Sequence, residues 1–246
     1  MPRFFVKTNQ IQGNCIEIIG KDVNHIKNAL RTKIGDKIEI CDEETEKSYI
    51  SQIEKIQENK ILTKIIQELE KNESKIKIDI YQGLPKSEKM ELIIQKSVEL
   101  GANSIIPVSM KRCVVKLSGK DEIKKIERWQ KISESASKQC GRTYIPQIKE
   151  IIKINQIASN EYDSTIVCYE NEEQNTLKQE IVKIKEQNKK DIKIAVVIGP
   201  EGGIDENEIE ELKKKNAKIV TLGKRILRTE TVALNTLSIL MYELEG

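Results

Sequence analysis

A continuous apolar run near the C-terminal end of the chain sets the pattern of its second half. Residues Ile194–Ile198 are uninterrupted apolar positions, most of them β-branched, which is typical of a strand buried on both faces of a sheet. The glycine-rich segment 199–203 follows. Asp205, with Glu208 three positions later, then predicts a capped helix that runs to about Lys215.

A second strand, loop and helix repeat this arrangement. Lys218–Leu222 predicts a short strand, residues 223–229 a loop, and the remaining residues a long helix. One face of that helix is apolar: Ala233, Leu237, Leu240, Met241 and Leu244. The two loops are predicted to meet at the edge where open α/β sheets bind ligands, with ordinary tight turns as the alternative. Neither loop carries a dinucleotide or phosphate-binding glycine motif, so a ligand anchored by phosphate is not expected.

Strands and helices alternate in the residues before this segment. The strands are predicted at 76–81, 104–108 and 165–169, and the helices at 87–100, with Ser87 as its cap, at 121–139 and within the charged stretch 170–190. The inward positions of the first two helices are predicted to be Met90, Ile93, Ile94 and Val98, then Ile123, Ile126, Trp129 or Gln130, Ile132 or Ser133, and Ala136. This alternation predicts an α/β domain built on a parallel sheet.

The first seventy or so residues have a different pattern, typical of a small β-rich domain. Strands are predicted at 3–6, 16–18, 37–41 and 49–53, and a short helix at 23–31. The polar stretch 68–75 is the predicted domain boundary. The predicted domains are therefore residues 1–70 and residues 74–246.

Composition narrows the class of protein. Charged residues make up 33% of the chain and aromatic residues only 4%, which disfavours a surface of stacked aromatics for single-stranded nucleic acid. The net charge of +3 supports RNA binding only if the positive charge is clustered. With one histidine and five scattered cysteines, neither a metal site nor a disulfide framework is expected. No leader or membrane-spanning run is seen, so a cytoplasmic protein is expected.

Several stretches resemble one family of enzymes. IGPEGG and LGKRILRTETVAL are similar to the knotted methyltransferases of the SPOUT class, above all to the RsmE family, which methylates N3 of a uridine in small-subunit ribosomal RNA. The opening PRFFV and the stretches KSEKMELIIQKSVELGANSIIPV and ERWQKISESASKQCGRTYIPQI extend the resemblance over essentially the whole chain. It implies an RNA-binding PUA-like β-barrel at 1–70 and an α/β domain with a trefoil knot at 74–246. The hairpin CDEETEKSY lacks the glycines common in the family, so its shape is not predicted.

The resemblance also implies a cofactor site. S-adenosylmethionine is expected to bind at Cys168, Tyr169, Ile198, Gly199, Glu201, Gly202, Gly203, Leu222, Gly223, Ile226, Leu227, Arg228 and Thr229. An adenine ring needs an apolar slot with backbone donors and acceptors, which Ile198, Leu222, Ile226 and Leu227 suit. The leucines may equally be ordinary core residues.

The reaction needs two kinds of group beside the cofactor. Uracil N3 carries a proton at neutral pH, and its loss spreads negative charge onto O2 and O4, so a proton acceptor and a cation are required. We expect Arg228 to orient the base and stabilise that charge, and Glu230 or Glu201 to accept the proton or orient the base. An ion pair of Arg228 with either glutamate, serving only to hold the loop, is the alternative.

Basic residues suited to RNA phosphates occur in both predicted domains: Arg3, Lys7, Lys86, Lys89, Lys111, Arg112, Lys116, Lys138 and Arg142. Arg3, Lys86, Arg112 and Arg142 are the preferred RNA-binding residues, because they lie in stretches similar to the family. The expected partner is 16S ribosomal RNA in the small ribosomal subunit, with neither membrane nor DNA involved. In SPOUT enzymes the C-terminal helix packs at a homodimer interface, so a homodimer is expected.

The sequence thus predicts an S-adenosylmethionine-dependent methyltransferase acting on N3 of a uridine in 16S ribosomal RNA. Two alternatives stay open. One is another SPOUT enzyme that methylates a ribose 2′-oxygen or a guanine. The other is a non-catalytic RNA-binding factor of ribosome assembly that retains the fold.

Overall fold

The computed structural model describes residues 1–70 and 73–245 and divides into two compact units. One unit contains residues 1–73 and 137–145, and the other contains residues 74–136 and 146–246. The predicted domain boundary falls in part on residues 71–72, which lie outside the described residues.

The first unit is built on a six-stranded sheet in the order β1-β4-β5-β6-β3-β2. Its strands are β1 (Arg3–Val6), β2 (Ile11–Gln12), β3 (Cys15–Ile19), β4 (Lys37–Asp42), β5 (Ser48–Ile56) and β6 (Lys60–Leu69). All neighbours are antiparallel except the parallel pair β1 and β4. Alternate residues such as Ile16 and Ile18 enter the core, as a two-sided sheet requires.

Two features of this unit differ from the sequence prediction. The predicted short helix is α1 (Lys21–Asn24) followed by a π-helical turn (His25–Ala29), so helical structure ends before Arg31, whose φ is +52°. Strand β6 was not predicted, although Ile61 and Thr63 are buried and alternate with less buried neighbours. The lysines and the glutamine on its solvent-facing side made the alternation of apolar and polar positions hard to recognise in the sequence.

The second unit contains a seven-stranded sheet in which every pair is parallel, as predicted. Its strands are β7 (Ile76–Gly83), β8 (Ser104–Ser109), β9 (Gln147–Ile148), β10 (Ile152–Lys153), β11 (Ser164–Cys168), β12 (Ile192–Ile198) and β13 (Lys218–Val220). The order is β10-β8-β7-β12-β11-β13, and β9 also pairs with β8. Strand β12 lies between two neighbours and residues 194–198 are buried, which explains the unbroken apolar run.

The helices of the second unit are α2 (Lys89–Glu99), α3 (Lys120–Cys140), α4 (Leu177–Glu186), α5 (Glu206–Lys214) and α6 (Thr229–Glu245). The predicted cap of α5 is confirmed: Asp205 accepts a hydrogen bond from Asn207 N–H at 3.2 Å, and Asp205 N–H donates one to Glu208 Oε2 at 3.3 Å. The predicted cap of α2 is wrong. Ser87 has φ +57°, and Glu88 precedes the helix without a side-chain cap.

The predicted buried faces of the helices are largely confirmed. Met90, Ile93, Ile94 and Val98 of α2 are buried, as are Ala233, Leu237 and Leu240 of α6. Met241 and Leu244 are only partly buried. Ile123 of α3 is 59% exposed, so its assignment to the core is wrong; the stripe begins further along, with Trp129, Ser133 and Ala136 buried. Within the described residues, no helix is both long and apolar enough to span a membrane.

Candidate active site

A cavity of about 530 Å³ lies where β11, β12 and β13 end, within the second unit. All of the residues predicted to hold a cofactor line it: Cys168, Tyr169, Ile198, Gly199, Glu201, Gly202, Gly203, Leu222, Gly223, Ile226, Leu227, Arg228 and Thr229. The lining also includes residues that the sequence did not single out for this site: Lys89, Glu170, Pro200, Thr221, Lys224, Arg225 and Val232. The two loops predicted to meet at the sheet edge therefore do meet.

Close packing explains the glycines of the first loop. A Cβ on Gly199 would lie 2.9 Å from Ile204 Cγ1, and a Cβ on Gly83, at the end of β7, would lie 2.7 Å from the backbone nitrogen of Pro200. Gly203 has φ +71°, a conformation that glycine adopts without steric cost. The loop folds tightly, with a hydrogen bond from Gly203 N–H to Pro200 C=O at 3.0 Å.

A buried hydrogen-bond network fixes the ends of three elements beside the cavity. Gln82 Nε2 of β7 donates to Thr229 Oγ1 at 2.8 Å, and Thr229 Oγ1 donates to Gly199 C=O at 2.7 Å. Gln82 is fully buried and Thr229 is 5% exposed. The network ties the start of α6 to the strand ends, so the two loops keep their relative position.

The second loop leaves its backbone groups available. Gly223, with φ +109°, donates its N–H to Thr221 Oγ1 at 3.2 Å, which makes the turn after β13. Residues 225–227 make no backbone hydrogen bond to any other residue in the described part of the chain. The Ile226 side chain is 86% exposed, so this residue can line an apolar slot with its backbone but not with its side chain.

Two glutamates share one lysine. Lys89 Nζ lies 3.1 Å from Glu201 Oε1 and 3.4 Å from Glu230 Oε2. Lys89 and Glu201 line the cavity, whereas Glu230 is not among its lining residues. Burial raises the pKa of Glu201, but hydrogen bonds from its own backbone N–H, from Lys89 and from Lys86 N–H outweigh burial, so the pKa lies below its usual value. The hydrogen bond that Lys89 donates to Glu201 raises the pKa of Lys89. Glu201 and Lys89 are therefore both charged at neutral pH.

Arg228 stands apart from these carboxylates. Its side chain is exposed, and it has no hydrogen-bond or ion-pair partner among the residues that the structure describes. The alternative in which Arg228 pairs with Glu201 or Glu230 is not what the structure contains, because both glutamates pair with Lys89. A free guanidinium at the cavity is available to a ligand.

Cys168 is not suited to nucleophilic chemistry. Its thiol is buried against Thr236, with 3.5 Å between Sγ and Oγ1, and burial raises the pKa of the thiol to about 11. The thiolate is the reactive form of cysteine, so Cys168 stays neutral and unreactive. All five cysteines are free thiols, and no cluster of metal ligands occurs in residues 1–70 and 73–245.

The predicted RNA-binding residues fall into two environments. Lys86 is exposed and its ammonium has no partner among the described residues, while its backbone N–H holds Glu201. Arg112 is partly exposed and donates from Nη1 to Gly202 C=O at 3.2 Å, so it contacts the glycine loop.

In the first unit the two predicted arginines lie in buried ion pairs. Arg3 pairs with Glu39, with side chains 13% and 12% exposed. Arg142 Nη2 lies 2.7 Å from Glu73 Oε2, with side chains 11% and 9% exposed. No sequence pattern indicated these partners, which are distant along the chain.

Comparison with known proteins agrees with this site. Residues 72–241 match the family described as an RNA methyltransferase domain, and residues 18–66 match an RNA methyltransferase PUA domain. A Bacillus subtilis protein named ribosomal RNA small subunit methyltransferase E is 34% identical over 100% of this chain and 98% of its own. A protein of the same name from Mesomycoplasma hyopneumoniae is 32% identical over 95% of this chain and 96% of its own.

A solved structure shares the fold over nearly the whole chain. It is a ribosomal RNA small subunit methyltransferase E from Neisseria gonorrhoeae bound to S-adenosyl methionine. It is 28% identical and superposes with a TM-score of 0.83 over 98% of this chain and 97% of its own. By sequence, by domain content and by fold, the chain belongs to the ribosomal RNA small subunit methyltransferase E family.

Proposed function

We propose that this protein transfers the methyl group of S-adenosylmethionine to N3 of a specific uridine in 16S ribosomal RNA of the small subunit. The observation that carries the proposal is the cavity at the ends of β11, β12 and β13, where glycine loops, a free arginine and two glutamates come together. The Neisseria relative with this fold binds S-adenosyl methionine.

The cavity fits a nucleoside-sized cofactor. Its volume of about 530 Å³ lies within the usual range for small-molecule sites, and Ile198, Leu222 and Leu227 supply apolar surface. The unpaired backbone groups of 225–227 suit the hydrogen-bonding edge of an adenine. Bound there, the cofactor supplies an activated methyl on a sulfonium, and the protein must bind it, orient it and exclude water.

The chain's own residues would handle the proton and the charge. Arg228 is proposed to orient the uracil and stabilise the negative charge that develops on O2 and O4, because its guanidinium is free at the cavity. Glu230 or Glu201 is proposed to accept the N3 proton or to orient the base. Holding N3 in line with the methyl can lower the barrier by about 7–11 kcal/mol at best.

Lys86 and Arg112 are proposed RNA contacts in the second unit, supported by their exposure next to the loop that forms the cavity. Arg3 and Arg142 are proposed RNA contacts in the first unit. For these two, phosphate would have to replace a carboxylate in a buried ion pair. Their neutral variants are therefore expected to lose stability together with RNA affinity.

A cytoplasmic homodimer completes the proposal. Helix α6 is apolar on more than one side: Ile239 and Tyr242 are exposed, while Ala233, Leu237 and Leu240 are buried in its own unit. A helix that is apolar nearly all round usually packs on two sides, which supports a second copy at this helix. Sedimentation of the purified protein measures the oligomeric state directly.

The decisive experiment identifies the methylated nucleoside. Small subunits from cells that lack this gene are incubated with the protein and labelled S-adenosylmethionine, digested, and analysed by mass. Labelled 3-methyluridine is the expected product. If the product is a ribose-methylated nucleoside or a methylguanosine, the assignment of the substrate is wrong. If the protein does not bind the cofactor, a non-catalytic assembly factor is favoured.

The role of Arg228 has its own test. Arg228→Ala is expected to abolish turnover while the protein stays folded, because the exposed side chain holds no other residue in place. Lys96→Ala, which removes a cation that pairs with Glu99 on its own helix α2, is a control for the loss of a positive charge from the second unit. Wild-type turnover by Arg228→Ala would remove Arg228 from the mechanism.

A further inference from the structure

Lys89 occupies a position that local helix energetics disfavour. It is the first residue of α2, where the helix dipole presents positive charge and acidic residues are preferred. Glu88, the residue before it, makes no side-chain cap. Helix stability therefore does not explain a lysine here, and residues that break a local rule often belong to functional sites.

The contacts of Lys89 supply an explanation. Its ammonium reaches Glu201 at 3.1 Å and Glu230 at 3.4 Å, and the residue itself lines the cavity. These partners come from the loop after β12 and from the first turn of α6. One side chain thus joins three elements that form the site.

The two glutamates are not equivalent. Glu201 accepts the backbone N–H of Lys86 at 3.0 Å and 3.2 Å on its two oxygens, in addition to the contact with Lys89. The Glu230 side chain is 15% exposed, and its buried Oε2 is the atom that Lys89 approaches at 3.4 Å. No other residue in the described part of the chain donates to the Glu230 carboxylate. Glu201 is therefore engaged as an anchor, whereas Lys89 alone among the described residues holds Glu230.

We propose that Lys89 is a positioning residue that is anchored by Glu201 and holds Glu230 ready to accept the N3 proton of the substrate uridine. This inference rests on the proposed function and deepens it, because it assigns different roles to the two glutamates. A carboxylate that a single ammonium holds keeps further acceptor capacity for a ligand.

The step balances with these groups alone and the methyl donor. The proton on N3 passes to a Glu230 oxygen, and the electron pair left on N3 forms the bond to the methyl carbon. The bond between that carbon and the sulfonium sulfur breaks, and sulfur keeps its electrons. Glu230 then returns the proton to solvent, and Lys89 keeps its charge throughout.

Lys89 also supplies a positive charge to Glu230. The charged groups around Glu230 are Lys89 from α2 and Glu201 from the loop after β12, with Arg228 two positions earlier in the chain. If the ammonium is removed, two carboxylates face one another and repel, which raises the pH needed to ionise Glu230. A proton acceptor must be ionised, so the acid side of the rate profile must move with it.

The test compares Lys89→Met with Lys89→Arg in single-turnover formation of 3-methyluridine on unmodified small subunits over a range of pH. Lys89→Met is expected to move the acid limb of the rate–pH profile to a pH about one unit higher. At a pH below this limb, the rate should then be about tenfold lower than that of the wild-type protein. Lys89→Arg is expected to restore most of the wild-type profile. The control is Lys96→Met, on the same helix, because within the described residues the Lys96 ammonium pairs only with Glu99, at 2.9 Å.

A second pair of variants distinguishes the roles of the two glutamates. Glu230→Gln is expected to lose about 100-fold or more in rate at every pH, the usual scale of general-base removal, and Glu201→Gln to lose less and to retain an acid limb. A uniform loss in Lys89→Met with an unmoved limb, or a greater loss in Glu201→Gln than in Glu230→Gln, overturns the inference. If the wild-type protein yields no 3-methyluridine, the proposed function fails instead.

Discussion

The buried carboxylate of Glu73 makes a quantitative test of the first unit possible. Arg142 donates to it from Nε at 3.1 Å and Nη2 at 2.7 Å, and the backbone N–H groups of Thr143 and Tyr144 donate at 2.9 Å and 3.2 Å. Glu73 therefore holds the segment 142–144 through charge-assisted hydrogen bonds in a poorly solvated place. We predict that Glu73→Gln, which keeps the shape and removes the charge, strongly destabilises this unit.

The expected magnitude follows from the burial of the pair. Removing one partner of a buried ion pair leaves the other charge uncompensated and costs roughly 3–5 kcal/mol. Glutamine retains an oxygen for the two backbone N–H groups, so the lower end, about 3 kcal/mol, is expected. Urea unfolding followed by far-ultraviolet circular dichroism measures it. Glu210→Gln is the matched control, because Glu210 pairs with Lys213 at an exposed surface and should show no measurable change.

The pH dependence of the unfolding free energy tests the same prediction in a second way. Burial raises the pKa of Glu73, but Arg142 and the backbone N–H groups outweigh it, so the folded-state pKa lies below the ordinary 4.5. The stabilisation is therefore complete above pH 4.5 and is lost as the pH falls through the folded-state value. Glu73→Gln should lack this acid-dependent loss. A stability change under about 1 kcal/mol in Glu73→Gln would refute the reasoning.

Three further predictions concern the second unit. Gly83→Ala should displace the glycine loop and weaken S-adenosylmethionine binding at least tenfold by calorimetry, because its Cβ would meet the Pro200 backbone at 2.7 Å; unchanged affinity would contradict this. Thr229→Val should cost about 1–3 kcal/mol in urea unfolding, since Gln82 Nε2 and Gly199 C=O each lose a hydrogen bond to the threonine hydroxyl, whereas Thr229→Ser should cost much less. Arg112→Ala should weaken binding to the small subunit and reduce its salt dependence with little change in cofactor affinity; equal RNA affinity would return Arg112 to a structural role.

The parts of the fold that were predictable are those whose cause is local. Strand β12 was recognisable because a strand covered on both faces must be apolar at successive positions. The start of α5 was recognisable because Asp205 and Glu208 satisfy each other's backbone groups. Strand β6 and the exposed Ile123 were missed, because which side of an element meets the core is decided by distant residues.

The same distinction applies to the candidate site. Its cavity-lining residues were found because family-like loops follow two strands, and strand ends converge at one edge of a parallel sheet. The ion pairs were not found, because Arg142 meets Glu73, and Lys89 meets Glu201 and Glu230, across large separations in the chain. A list of basic residues therefore cannot distinguish a free cation such as Lys86 from one that is already paired.

Residues that depart from the usual helix or backbone preferences indicate functional positions that the list of basic residues alone could not identify. A lysine at the first position of α2 and a positive φ at Ser87 are each unfavourable taken alone. Together they have one geometric consequence: the loop before α2 turns so that Lys86 N–H and the Lys89 ammonium both reach Glu201, and the same ammonium holds Glu230. A fold optimised only for stability would have an acidic residue in place of Lys89. The occurrence of both features at one edge of the sheet is best explained by the proposed need to hold a proton acceptor for the substrate.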